Sequence, residues 1–216
     1  MITPPVEDRL IASLMEDLRP VRPVRRAAGG ALALAALVAT VFVVAAFEGL
    51  GSGVLQGRVS AIFLVTNGLL LVLGSASAAA VVAMANPAVG SRHDGPKWAM
   101  AALAVLPLAA IVTGLLNGAG PAVFIGSAID WHCLAMGLLC SAGTALALGF
   151  WLRRGAPVSA ARAGLLLGAA SGASGAFAYG MACPLQTMSH LGIWHVAPVA
   201  IAGLLGWITV PRLLRW

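Results

Sequence analysis

The chain has 216 residues, 60% of them hydrophobic and 9% charged, with a mean hydropathy of +0.96. Soluble domains carry about 25% charged residues, and a water-soluble fold of this length cannot hide so much apolar surface, so a soluble body is excluded. The formal net charge of +6 is spread between apolar runs and not gathered on one domain, which is a topology signal and no nucleic-acid surface.

The first 26 residues hold four acids, Glu7, Asp8, Glu16 and Asp17, and no apolar run, so no cleavable signal peptide is expected. Thr3-Pro4 reads as an N-cap with proline in the first turn. Val6, Leu10, Leu14 and Leu18 recur every four residues, with Ile11 and Met15 beside them. This predicts an amphipathic helix of about four turns, ended near Pro20. So short a helix is marginal alone in water, so its apolar face needs cover. With four acids against only Arg9 before Arg19, the helix is repelled by anionic lipid. A groove on a protein partner is therefore preferred, with the chain's own bundle as the alternative. Arg19, Arg22, Arg25 and Arg26 follow as a juxtamembrane basic cluster.

A bilayer core takes roughly 20 apolar residues as helix. Such runs lie at about 27–47, 60–85, 98–117, 131–151, 160–182 and 192–210. Open sheet edges are intolerable in lipid and the alternation of a barrel is absent, so the runs are expected to be helices. The expected fold is all-α, a polytopic bundle of six transmembrane helices over 27–216, preceded by the amphipathic segment 1–26. Gly164, Gly168 and Gly172 recur every four residues in the fifth run and predict a smooth ridge, either a dimer face or a packing surface within the bundle. Pro107 and Pro198 are expected to kink the third and sixth spans. Thr66 and Asn67 are the most polar mid-span residues.

Arg9, Arg19, Arg22, Arg25, Arg26, Arg92, Lys97, Arg153, Arg154, Arg162, Arg212 and Arg215 fall on one side of this topology, and Arg58 alone on the other. The positive-inside rule then puts both termini in the cytoplasm, as six crossings require.

Cys133 begins the fourth span after Asp130-Trp131-His132, and Cys183 follows the fifth, so both belong to the outer face. Antiparallel neighbours joined by a short turn at 153–157 would bring these ends together, which makes a disulfide or a shared ligand plausible if the Cα atoms come within about 7 Å. The periplasm permits a bridge. Cys140, two turns deeper, is expected as a small buried hydrophobe. His132, His190 and His195 also map to the outer face, while His93 lies in a cytoplasmic loop. With Asp130, Cys133, Cys183 and Met188 they form a mixed thiolate and imidazole set suited to zinc, cadmium or copper. A structural disulfide with interfacial histidines is the plain alternative. Trp131 and Trp194 fit an aromatic belt.

The N-terminal segment and its basic cluster, Asp130-Trp131-His132-Cys133-Leu134, Arg153-Arg154-Gly155-Ala156-Pro157, Cys183-Pro184, Trp194-His195 and the terminal Pro211-Arg212-Leu213-Leu214-Arg215-Trp216 occur in that order. In these pieces the chain resembles the negative-regulator-of-sigma-F family of bacterial inner-membrane anti-sigma factors. Leu185 and Gln186 stand where that family has an acidic run after the second cysteine. The resemblance implies a non-enzymatic, multi-pass inner-membrane protein. Its cytoplasmic segment would sequester an extracytoplasmic-function (ECF) sigma factor through Val6, Leu10, Ile11, Leu14, Met15 and Leu18, without touching nucleic acid directly. It further implies that Cys133 and Cys183 sense periplasmic metal or oxidant. No cofactor is obligatory in this reading, although a heavy-metal ion at the cysteine pair is compatible with it. A small metal or solute transporter is the alternative, followed by a membrane dithiol redox enzyme. The former would need ionisable groups at mid-membrane, and the latter lacks a Cys-X-X-Cys motif.

Overall fold

The computed structural model describes residues 6–16, 25–87, 94–118 and 125–214. Every regular element among them is helical. In order they are α1 (Val6–Glu16), α2 (Arg26–Phe47), α3 (Ser52–Leu55), α4 (Ala61–Met84), α5 (Gly95–Leu116), α6 (Ala128–Arg153), α7 (Ala160–Gly180), a π-helical turn (His190–Trp194) and α8 (Ala197–Leu213). Among the described residues, α2, α4, α5, α6 and the segment His190–Leu213 are long and apolar enough to cross a membrane.

The remaining long helix, α7, is rich in alanine, glycine and serine and forms the centre of the bundle. Every residue from Leu167 to Ala176 is buried. A helix walled in by other helices has no need of large apolar side chains facing lipid. Small residues let its neighbours approach closely, and the gain is dispersion between atoms in contact. The glycine ridge settles against α8 of the same chain. A Cβ at Gly164 would meet the Gly206 carbonyl, one at Gly168 the Ala202 carbonyl, and one at Gly172 the Pro198 carbonyl. Of the two roles open to that ridge, packing within the bundle is the one observed.

The outer helices turn periodic stripes toward this axis. In α4 the buried positions Phe63, Thr66, Asn67, Leu70, Leu73, Gly74, Ser77, Ala80 and Val81 follow the three-or-four spacing of one helix face. In α5 the stripe is Ala99, Leu103, Leu106 and Ala110. Helix α2 buries only Gly29, Ala33 and Val44. Gly29 leaves room for the Trp151 ring, whose Nε1 donates to the Val82 carbonyl at 3.4 Å. At the same end the turn after α6 is pinned to α4, with Ala156 N donating to Ala85 O at 2.9 Å.

One expectation needs correction. The sixth apolar run is not one kinked helix. It begins with the π-helical turn, and Pro198 stands in the first turn of α8, where its missing N–H costs nothing. Pro107 does lie inside α5, and Pro211 lies inside α8. Among the described residues the N-terminal helix covers Val6–Glu16. Thr3-Pro4, Leu18 and Pro20 lie outside the described residues, as does His93.

Candidate functional site

One end of the bundle gathers the start of α6, the end of α7, the π-helical turn and the α2–α4 connection. Helix α6 starts at a defined place because Asp130 reaches back to Ser127, accepting from its N–H at 2.6 Å and its hydroxyl at 2.7 Å. That cap fixes the first turn and aims Cys133 inward. Helix α7 ends at Gly180, where a Cβ would strike the Asn67 side chain. The chain then turns through Cys183, whose N–H donates to Gly180 O at 3.3 Å. The segment beyond is tied to the α2–α4 connection. Gly51 N donates to Met181 O at 2.9 Å, and Ser60 N donates to the Gln186 side-chain oxygen at 2.7 Å.

The two sulfurs meet in the interior, Cys133 Sγ to Cys183 Sγ at 3.6 Å, both as free thiols. His190 Nε2 lies 3.2 Å from Cys183 Sγ, and His190 Nδ1 lies 2.5 Å from Asp130 Oδ1. A carboxylate can only accept, so Nδ1 carries a proton. In neutral His190 the Nε2 lone pair then faces the sulfur. His195 packs edge-on to His190 with ring centroids 5.2 Å apart. One ligating atom from each of Cys133, Cys183, His190 and His195 lies within 4.8 Å of all the others. Each of these four residues is only 2% exposed. The hydrogen bond from Cys133 draws the Cys183 thiol below its ordinary range, against the effect of burial and with help from His190 and His195. Buried sulfur and imidazole so arranged can hold a soft cation or lose two electrons to form a disulfide.

Around this cluster, Val44, Ala178 and Tyr179 pack on the two cysteines. Trp131 and Trp194 meet edge to face at 4.8 Å, and Trp131 Nε1 donates to Ile125 O at 3.0 Å. Gly126 has φ +65, and a Cβ there would strike the Trp194 ring.

Of the six ligand candidates, Cys133, Cys183, His190 and His195 converge. Asp130 stands behind His190 as its hydrogen-bond partner. His132 stands apart from them, exposed, with its ring facing Tyr179 at 6.0 Å. Met188 packs instead with the core cluster around Leu70 and Leu103. Cys140 is half-buried beside Val44. On α1, Leu10, Ile11, Leu14 and Met15 are 54–63% exposed, while the Val6 side chain and Leu18 lie outside the described residues. Sequence reasoning missed Gln186 and the Ser127–Asp130 cap. The second was visible as Ser-x-x-Asp ahead of an apolar run.

The family described as "Negative regulator of sigma F" matches residues 14–216. The anti-sigma-F factor NrsF of Caulobacter vibrioides (strain NA1000 / CB15N) is 36% identical over 88 residues, which are 40% of this chain and 41% of that protein. The matched region thus spans about two-fifths of the relative's length. No solved structure matches the chain.

Proposed function

The chain belongs to the negative-regulator-of-sigma-F family, a family of regulators and not of enzymes, and from that premise we propose that it is an anti-sigma factor of the bacterial inner membrane. In this reading segment 1–26 holds an ECF sigma factor at the cytoplasmic face. Metal or oxidative stress in the periplasm, sensed through Cys133 and Cys183, releases it. Helix α7 is the sixth crossing beside the five apolar segments, and the twelve-to-one distribution of basic residues sets both termini inside.

The observation that carries the reading is the row Leu10, Ile11, Leu14 and Met15, all exposed on one short helix. A three-turn helix with bare leucines gains stability when a groove covers them. The acids on α1 suit a basic rim around such a groove and disfavour an anionic membrane.

Helix α2 supplies the connection. One end follows directly on the arm, and the other carries Val44 against both cysteines. Its 22 residues span about 33 Å at 1.5 Å per residue, the thickness of a bilayer core. The cysteine-bearing segment is also tied to the connection that follows α2, through the Gly51–Met181 hydrogen bond. Because α2 buries so few side chains along its length, a change at the sulfurs can move it cheaply. Oxidation would join the two sulfurs and pass two electrons to a periplasmic oxidant with loss of two protons. A soft cation would hold both sulfurs as thiolates.

The test is co-purification of the full chain with each ECF sigma factor of the host, for wild type and for a Leu10→Ala, Leu14→Ala double variant. One sigma factor is expected to be retained by wild type and lost by the variant. Equal retention by both, or retention of none, overturns the proposal.

A further inference from the structure

We propose that Cys133, Cys183, His190 and His195 form a closed four-coordinate site for one soft divalent cation of the zinc or cadmium class, with Asp130 as the positioning residue behind His190. The inference deepens the sensing role assigned to the cysteine pair and rests on that reading for its physiological meaning.

Four observations converge on it. First, the donor set is two sulfurs and two imidazoles with all ligating atoms within 4.8 Å of one another, and S₂N₂ is a characteristic tetrahedral zinc set. Second, the spacing fits. Two thiolates about 2.3 Å from a tetrahedral zinc stand about 3.8 Å apart, and Cys133 Sγ and Cys183 Sγ are 3.6 Å apart. Third, His195 is 98% buried beside these sulfurs, yet its Nε2 has no hydrogen-bond partner. An orphaned ring nitrogen at such depth costs free energy that a bound cation, or a reorientation toward one, would recover. Fourth, the Asp130–His190 hydrogen bond of 2.5 Å is the carboxylate–histidine arrangement that fixes a metal-ligating imidazole and raises its basicity.

Charge selects the ion. Binding converts two thiols to thiolates and releases two protons. Two thiolates and two neutral imidazoles cancel a 2+ charge, so the filled site is neutral in a buried place. A monovalent ion would leave a net negative charge there, and a trivalent ion a net positive one. Sulfur disfavours magnesium and calcium. With four protein ligands the site has no open position for substrate, which is the mark of a structural or sensing site. Metal and disulfide are mutually exclusive, since each uses both sulfurs.

The experiment uses the full-length protein, reduced, in detergent micelles, titrated with Co²⁺ as the optical probe and then with Zn²⁺ and Cd²⁺ in competition. Expected are one equivalent per chain, the visible bands of tetrahedral cobalt, thiolate-to-cobalt charge transfer, and displacement by Zn²⁺ and Cd²⁺. Cys133→Ser, Cys183→Ser, His190→Gln and His195→Gln should each lose or alter the spectrum, and Asp130→Asn should weaken affinity about 10–100-fold. His132→Ala should leave it intact. Circular dichroism and gel filtration screen the variants for folding. His195→Gln binding like wild type, an octahedral spectrum, or no saturable binding overturns the site. A sigma-dependent reporter in cells separates this from the parent reading. Metal bound in vitro with a reporter deaf to metal and oxidant sinks the sensing role and spares the site. A reporter that responds through Cys133 with no metal bound in vitro sinks the site and spares the sensing role.

Discussion

Asp130 divides its two oxygens between tasks, Oδ1 holding His190 across sixty positions of sequence and Oδ2 closing the start of α6 on Ser127. The helix that presents Cys133 is therefore begun by the same carboxylate that orients an imidazole beside Cys183. Ser127→Ala removes only the hydroxyl contact and should cost about 1 kcal/mol, as cap losses do, while leaving His190 in place. Asp130→Ala removes both and should also free the His190 ring. Thermal unfolding of the two variants in detergent, together with the His190 ring resonances by NMR, checks this. Equal disturbance of His190 by both variants would refute the division.

The contact between α7 and α8 should be the least forgiving of substitution. Gly168→Ala puts a methyl group into the Ala202 carbonyl, and backbone cannot swing aside as a side chain can. Overpacking of this kind costs about 1–3 kcal/mol. Gly30→Ala, where nothing lies within 4 Å, is the control and should be silent. Unfolding in graded denaturing detergent measures both.

Gly29 offers a test of the role proposed for α2. A methyl group there lies 2.5 Å from the Trp151 ring, so Gly29→Ala must displace either the ring or the helix. The expected outcome is a changed basal level of the sigma-dependent reporter with an unchanged amount of protein in the membrane. Unchanged output would argue that α2 does not carry the signal.

The loop grip predicts a milder effect. Gln186→Ala leaves the Ser60 N–H without its acceptor, a loss of about 1–3 kcal/mol if the group stays buried and less if water reaches it. Hydrogen exchange at Ser60 should speed up, while α7 and α8 keep their protection. Faster exchange throughout the bundle would mean that the connection supports the whole fold.

Much of this was legible in the residues because lipid is a simple solvent. It demands some twenty apolar residues per helix, and the starts and ends of α2, α4, α5 and α6 fall within a few positions of the apolar runs. The nearness of Cys133 and Cys183 followed from one antiparallel hairpin. The full cluster did not follow. His132 precedes Cys133 in the chain, but neighbours on a helix point about 100° apart, so adjacency in sequence meant separation in space. His190 and His195 converge only because a π-helical turn replaces the first turns of the last apolar run, and no periodicity announces such a turn. Asp130 joined the candidate ligands because it falls on the same face of the topology as the cysteines and histidines. Its engagement with Ser127 and His190 depends on where α6 begins. The kink expected at Pro198 failed for the same reason, since a proline bends a helix only from inside it.

The composition of α7 has a consequence for how the protein is made. A stretch of alanine, glycine and serine has little pull toward hydrocarbon when it leaves the ribosome. Its comfort comes from neighbours that flank it on both sides in the chain, one of them not yet synthesised. If α7 is the sixth crossing proposed above, its stable insertion waits for α8, and a chain truncated before residue 197 should lose that crossing and be degraded.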